Sequence, residues 1–178
     1  DIQDYFPDID SALVEMRHSG VVETILMGHS TGGLITALFC SRNPAAPVDL
    51  LILNSPFLDW NLGWKEHLVP AIAFWGAIFP STPIPQGKST AYAESLLKKY
   101  HGDWDYRTDW KLSQSPDVTA GWVRAIDRAQ HQLRGGKAHI NIPILLMYSS
   151  QSIDTPTWSP AHNRADGVLD VNNIRRYG

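Results

Sequence analysis

Ser30 is the side chain around which chemistry can be assembled in this chain. It stands in Gly28-His29-Ser30-Thr31-Gly32-Gly33, a G-x-S-x-G pattern of the kind that forces a serine onto a tight strand-to-helix turn and holds its hydroxyl clear. A hydroxyl so placed is an acyl-transfer nucleophile, provided that a base takes its proton and N–H groups meet the oxyanion. The backbone N–H of Thr31, directly after the nucleophile, is the oxyanion donor that this turn supplies. Gly28 and Gly32 read as steric requirements, because a Cβ at either would meet the neighbouring strand or helix. His29 points away from Ser30 on such a turn and is no base for it. Neither G-x-x-x-x-G-K-[ST] nor G-x-G-x-x-G occurs, so a phosphate cradle is the poorer reading.

The flanking residues have the pattern that this turn needs. Val21, Val22, Ile25, Leu26 and Met27 form a short apolar run suited to a strand buried on both faces, and Leu34, Ile35, Ala37, Leu38 and Phe39 continue as a helix. Val48 to Leu53 is a second such run, closed by Asn54-Ser55-Pro56, and Ile142 to Tyr148 is a third, with proline at its start where no ladder donor is lost. The class is therefore α/β, with strands near 22–27, 49–53 and 144–148 whose expected burial on both faces suits a parallel sheet. Ahead of them, Ile9, Leu13, Val14 and Met16 lie near helical spacing after Pro7-Asp8, and Gly20 ends that helix.

GHSTGGL, followed by LLILNSPFLDWN, resembles the α/β-hydrolase fold and, within it, serine hydrolases similar to monoacylglycerol lipases, lysophospholipases and serine aminopeptidases of the S33 type. The resemblance covers nearly the whole chain. It implies a Ser–acid–His triad, a mostly parallel eight-stranded sheet and a helical cap, of which this sequence is expected to hold the central part, with three parallel strands near 22–27, 49–53 and 144–148 adjacent in that order. The expected division is hydrolase core over 1–60, cap over 61–138, and core again over 139–178. Four earlier strands, with the loop that gives the second oxyanion donor, are expected outside the chain.

In the resembled fold the triad acid lies in the loop after the third of these strands, where its carboxylate would hold an imidazole in the correct tautomer. Asp166 is the first choice, because Ala165-Asp166-Gly167-Val168-Leu169 fits the family arrangement of acid, hydrophobic pair and helix start if 155–164 is an insertion. Asp154, nearer the strand end, and Asp170, which resembles a helix N-cap, are the alternates. Asp59 in the FLDW loop is a displaced candidate whose ordinary role would be a local backbone hydrogen bond. The family order is Ser, acid, His, and no histidine follows His162. The catalytic histidine is therefore expected outside the chain, His162 reads as a surface residue, and His67, His101, His131 and His139 read as structural or solvent-exposed.

Residues 61–138 lose the strand–helix alternation and become rich in Trp, Pro and Gly. Trp64 to Phe79 is apolar nearly all round, so it is expected to line a pocket or pack beneath other cap segments; Trp64, Phe74 and Trp75 are the candidates for an acyl-chain site. Thr119 to Leu133 is the clearest helix, with Trp122, Ile126, Ala129 and Leu133 on one stripe and Gly135-Gly136 as its stop.

A formal net charge of −3 and a pI near 6.1 leave no basic patch for a phosphate backbone, which argues against a nucleic-acid partner. Cys40 is the single cysteine and reads as a buried thiol. No HExxH or similar ligand spacing points to a metal, and no cofactor is implied. The first residues lack a signal-peptide pattern, and no apolar run has the roughly 20 residues that span a bilayer. The expectation is a cytoplasmic hydrolase of carboxylic esters acting on a small-molecule ester or lipid-like substrate. Peptidase and acyltransferase chemistry are the alternatives within the fold, and a non-catalytic module binding an apolar ligand or partner is the alternative outside it. With unpaired apolar strand edges, these 178 residues alone are expected to associate and to show no turnover.

Overall fold

The computed structural model describes residues 1–85, 87, 89–136 and 138–178. In chain order it runs α1 (Phe6–His18), β1 (Ile25–Ser30), α2 (Thr31–Arg42), β2 (Leu50–Pro56), α3 (Val69–Ile78), β3 (Pro83–Ile84), α4 (Ala91–Leu96), β4 (Val118–Thr119), α5 (Ala120–Arg134), β5 (Ile144–Met147) and α6 (Val171–Tyr177), with 3-10 turns at Ile2–Tyr5, Gly63–Leu68 and Pro160–Asn163. Three strands form one sheet in the order β1-β2-β5. Both pairings are parallel, with Leu26 beside Leu51 and Ile52 beside Leu145. The expected α/β architecture and strand order are what the chain adopts. A second, two-stranded antiparallel ribbon pairs β3 with β4.

Burial alternates along the strands because successive side chains leave opposite faces. Leu51 and Leu53 are buried in a cluster with Leu13 of α1, Ala37, Phe39 and Cys40 of α2, and Val48. The Phe6 and Phe39 rings meet edge to face at 5.4 Å within that layer. Burial pushes the Cys40 thiol up to about 11, so it is an unreactive part of the core. The opposite face differs from the expected burial on both sides: Ile25 and Met27 are 58% and 55% exposed, and Leu145 and Met147 are exposed beside them, because the described helices pack on the α2 side.

α2 is apolar almost all round because it serves two cores. Its Leu34 and Leu38 face a second cluster, with Ile2, Trp60, Val69 of α3, and Val123, Ile126 and Ala129 of α5. That cluster joins the segments on either side of position 60, so α5 packs as part of the core as well as against α3. The buried stripe of α5 is turned slightly from expectation, onto Val123, Ile126, Ala129 and Gln130, with Trp122 at its rim. Its start is capped by Thr119, whose hydroxyl accepts from the Trp122 N–H at 3.1 Å, and it stops at Gly135.

α3 and the turn before it meet the expectation for Trp64 to Phe79 in part, since Leu68, Val69 and Ile72 line an apolar cavity while the largest rings of α3 do not. The buried face of α3 is made of Val69, Ala73 and Gly76, small residues that let the helix approach α5 closely: a Cβ on Gly76 would lie 2.2 Å from the Ala120 carbonyl oxygen. Close backbone approach selects the small residues for the inside, and Phe74, Trp75, Ile78 and Phe79 are left outward and exposed.

Candidate active site

Ser30 is the last residue of β1, and α2 starts at Thr31. Its backbone has φ 53° and ψ −121°, a conformation that costs a non-glycine residue about 1–3 kcal/mol. Two glycines make it possible. A Cβ on Gly28 would lie 2.3 Å from the Thr36 hydroxyl and 2.5 Å from the Gly32 carbonyl oxygen, and a Cβ on Gly33 would lie 2.7 Å from the Pro56 Cβ. Gly32, expected to be the second steric position, has open space around its Cα; the tight glycine is the next one along. β1 and β2 also slip register beside the turn, so that Ser30 pairs with Pro56 while His29 pairs with Asn54, and Ser55 is driven to φ 44°. The Phe57 N–H then donates to the Ser30 carbonyl at 2.9 Å, tying the exit of β2 to the turn. Thr31 is the first residue of a helix, so its N–H has no intrahelical acceptor. The His29 Nδ1 lies 3.0 Å from the Asn54 carbonyl oxygen, away from the Ser30 hydroxyl.

Ser30 stands between two cavities. One, of about 410 Å³, is polar, and its lining includes Ser55, Tyr92, Asp103, His162, Asn163 and Asp166. The other, of about 480 Å³, is mainly apolar, and its lining includes Thr31, Phe57, Trp60, Leu68, Ile72 and Trp122. Val168 and Leu169 touch both. The Phe57 and Trp60 rings meet at 5.2 Å and Trp122 lies 6.1 Å from Trp60, so three aromatic rings share the apolar wall.

Of the three aspartates after β5, Asp166 is the one that shares a cavity with Ser30. It reaches the strand end although it is distant in sequence. Its N–H donates to the Gln151 carbonyl at 2.9 Å and its carbonyl accepts from the Ile153 N–H at 2.8 Å, a single bridge that closes 155–164 into a side excursion, of which His162 and Asn163 line the polar cavity. Its Oδ1 accepts from the Val168 and Leu169 N–H groups at 2.9 and 2.8 Å. Burial, with the Asp166 charge added to it, raises the Tyr92 hydroxyl above its ordinary value. Asp170 caps α6, accepting from the Asn172 N–H at 2.9 Å, and Asp154 is exposed. Asp59 accepts from its neighbour Trp60 N–H at 2.9 Å and pairs with Arg134.

His162 is not on the surface as expected. It is 6% exposed and lines the polar cavity. Its Nδ1 accepts from the Ser159 N–H at 3.1 Å, which leaves Nε2 to donate to the Thr155 carbonyl at 3.3 Å. Both ring nitrogens are thus spent on the backbone of their own loop, and the imidazole serves as its internal brace. His101 is exposed and stacks on Trp158 at 3.4 Å; His67, His131 and His139 are exposed.

Trp64, Phe74 and Trp75 line neither cavity at Ser30 and are 72%, 70% and 48% exposed. The aromatic rings that do line the apolar cavity come from the FLDW loop at the carboxyl end of β2 and from the start of α5. The position of that loop just beyond a parallel strand was the signal for it, because ligands gather at those ends. Among the described residues, no group of three His, Cys, Asp or Glu could hold a metal ion. No described helix is long and apolar enough to cross a membrane.

None of the curated proteins compared with the chain matches it. Among solved structures, the chain is similar to a monoacylglycerol lipase of Paleococcus ferrophilus, with 19% identity and a TM-score of 0.66 over 95% of this chain and 62% of that one. The chain thus spans less than two thirds of that relative, and at this identity the likeness establishes the α/β-hydrolase fold. The model of the family described as serine aminopeptidase, S33, matches residues 1–153, the stretch that carries the elbow, the three strands of the main sheet and most of the lining of the apolar cavity; the chain belongs to that family of α/β hydrolases.

Proposed function

We propose that this protein is a serine hydrolase that cleaves carboxylic esters with apolar acyl groups. In this reading the Ser30 Oγ attacks the acyl carbonyl carbon and a histidine outside these 178 residues takes its proton. The Thr31 N–H donates to the oxyanion, and Asp166 holds the imidazolium. The alcohol leaves with a proton returned by the histidine, and water releases the acid from Ser30 by the same route. The observation that carries the reading is the position of Ser30 between an apolar cavity suited to an acyl chain and a polar one suited to the alcohol. The monoacylglycerol lipase likeness agrees with a lipid-like ester.

A second reading is aminopeptidase action, which the family description names. The Asp103 carboxylate in the polar cavity favours it, since it would suit a peptide's α-amine while Asp166 keeps the triad role. The test is labelling of the full gene product with a fluorophosphonate, followed by turnover of decanoyl and acetyl nitrophenyl esters and of a prolyl nitroanilide. Labelling at Ser30 with ester turnover supports the first reading, and anilide turnover alone the second. No labelling, with turnover equal to a Ser30→Ala control, would return the chain to the class of non-catalytic binding modules.

A further inference from the structure

We infer that Asp59 and Arg134 are positioning residues that hold the aromatic wall of the apolar cavity and so set the preference among acyl groups. The inference rests on the ester-hydrolase reading above. The wall is a loop: Phe57 to Trp60 leave β2 without further strand pairing, yet Phe57 must meet the Ser30 backbone at 2.9 Å while its ring and that of Trp60 face the cavity. Such a loop has to be held from behind, and it is held by polar groups on one face of α5.

Asp127, Gln130 and Arg134 follow one another at spacings of three and four, which places them along one side of the helix. The Gln130 Nε2 donates to the Phe57 carbonyl at 3.1 Å. The Trp60 Nε1 donates to Asp127 Oδ1 at 3.4 Å. Between these two contacts, Asp59 accepts from the Trp60 N–H at 2.9 Å and pairs with the Arg134 guanidinium, the two side chains being 14% and 17% exposed. α6 closes the back, with the Tyr177 ring 5.3 Å from the Arg134 guanidinium and the Asn173 Nδ2 donating to the Trp60 carbonyl at 3.3 Å.

Stability alone does not account for this choice of residues. A buried ion pair or amide is commonly no better for stability than apolar side chains of the same volume, and here Gln130 Oε1 and Arg134 Nε have no hydrogen-bond partner among the described residues. The rest of the buried face of α5 is Ala120, Val123, Ile126 and Ala129. Apolar packing is non-directional and would let the loop slide, whereas hydrogen bonds and a guanidinium–carboxylate pair fix the direction of each ring. The polar groups stand directly behind the rings that would meet the acyl chain, which is where direction matters.

The test uses the protein as its gene encodes it, with Asp59→Asn, Arg134→Gln and Asp127→Ala. Three readouts are needed: kcat and KM for acetyl and for decanoyl nitrophenyl esters, and the rate of fluorophosphonate labelling at Ser30. For Asp59→Asn and Arg134→Gln, KM for the decanoyl ester should rise about tenfold, while acetyl-ester kcat and the labelling rate stay within about twofold. Asp127→Ala, which loses the long hydrogen bond from Trp60 and the contact with the exposed His131 ring, should move the same ratio about threefold. An unchanged decanoyl-to-acetyl ratio, or an equal fall on both esters, would overturn the inference, because an equal fall is what a merely structural role produces. If the two ion-pair variants do not fold, Asp127→Ala decides by the same ratio. Ser30 labelling with an unchanged ratio removes the positioning role alone. Absence of labelling in the unaltered protein removes the hydrolase reading and this inference with it.

Discussion

The elbow and the loop that carries Asp166 present their residues to the same cavity by opposite means. The elbow is contiguous: β1, the turn and α2 follow without interruption, and a strained Ser30 at φ 53° is held by Gly28 and Gly33, which leave room for backbone that a side chain would block. The Asp166 loop is long, and Asp166 itself is unstrained. It is held by hydrogen bonds between positions far apart, Asp166 to Gln151 and Ile153, and the Ser152 hydroxyl between the Leu169 carbonyl at 2.7 Å and the Val171 N–H at 2.9 Å. Strain in the first region is local and rigid. Order in the second is distributed, and its bonds can be removed one at a time.

The sharpest break of that contrast is at Ser30. Ser30→Ala should abolish fluorophosphonate labelling and lower ester turnover by about 10⁶-fold, the scale of losing a nucleophile. Ser30→Gly should do the same while raising stability by about 1–3 kcal/mol, because glycine adopts positive φ freely. Thermal unfolding of the two variants side by side reads the stored strain directly, and equal melting temperatures would mean that the elbow stores none.

On the loop, geometry and charge separate. Asp166→Asn keeps an oxygen for the Val168 and Leu169 N–H groups, so stability should stay within about 0.5 kcal/mol while turnover falls about 10⁴-fold. Asp166→Ala should in addition lose about 1–3 kcal/mol, because two backbone donors are left without their acceptor. Activity retained in Asp166→Asn would transfer the acid role to Asp154 or Asp170.

The glycines give the next contrast. Gly28→Ala and Gly33→Ala should each cost about 1–3 kcal/mol through overpacking against Gly32 and Pro56. Gly32→Ala meets open space and should stabilise by about 0.4–1 kcal/mol through the unfolded chain. Denaturant unfolding of the three single variants checks this, and a Gly32→Ala cost equal to that of Gly28→Ala would refute the packing account.

The smallest expected effect is on Tyr92. Burial first, and the Asp166 charge second, hold its hydroxyl above the ordinary tyrosine value of 10.0. The unfolded chain therefore releases that proton first as pH rises. Any stability tied to Tyr92 is present below the ordinary value and is lost as pH climbs through the raised one. Asp166→Asn should lower the titration midpoint of Tyr92, read by tyrosinate absorbance against a Tyr92→Phe control. A midpoint unmoved by the substitution would mean that the carboxylate does not act on the phenol.

How much was legible in the sequence follows the same division. The elbow was, because a buried apolar run, two flanking glycines and a helix start are neighbours in the chain and their meaning is local. Even there one detail escaped: Gly33, not Gly32, is the position packed against Pro56, which depends on where β2 lies. The helix at Val171–Tyr177 and its Asp170 cap were also local and are as expected. Trp64, Phe74 and Trp75 were misplaced because helical periodicity is mute in a segment that is apolar on all sides. What turned Phe74 and Trp75 outward was the close approach of Gly76 to Ala120 on α5, while Trp64 lies in the exposed turn before α3.

The sequence by itself determined the three apolar strands, the elbow at Ser30 and the presence of an acidic loop after the last strand, since each rests on residues adjacent in the chain; the parallel order of the strands came with the family resemblance. The tertiary structure alone decided which aspartate shares the Ser30 cavity, that His162 is buried as a brace, and which rings wall the apolar cavity. It also decided that Asp59 meets Arg134. Those outcomes turn on distances between segments that lie far apart in sequence, and they are set by how helices and strands pack, a property that no local pattern encodes.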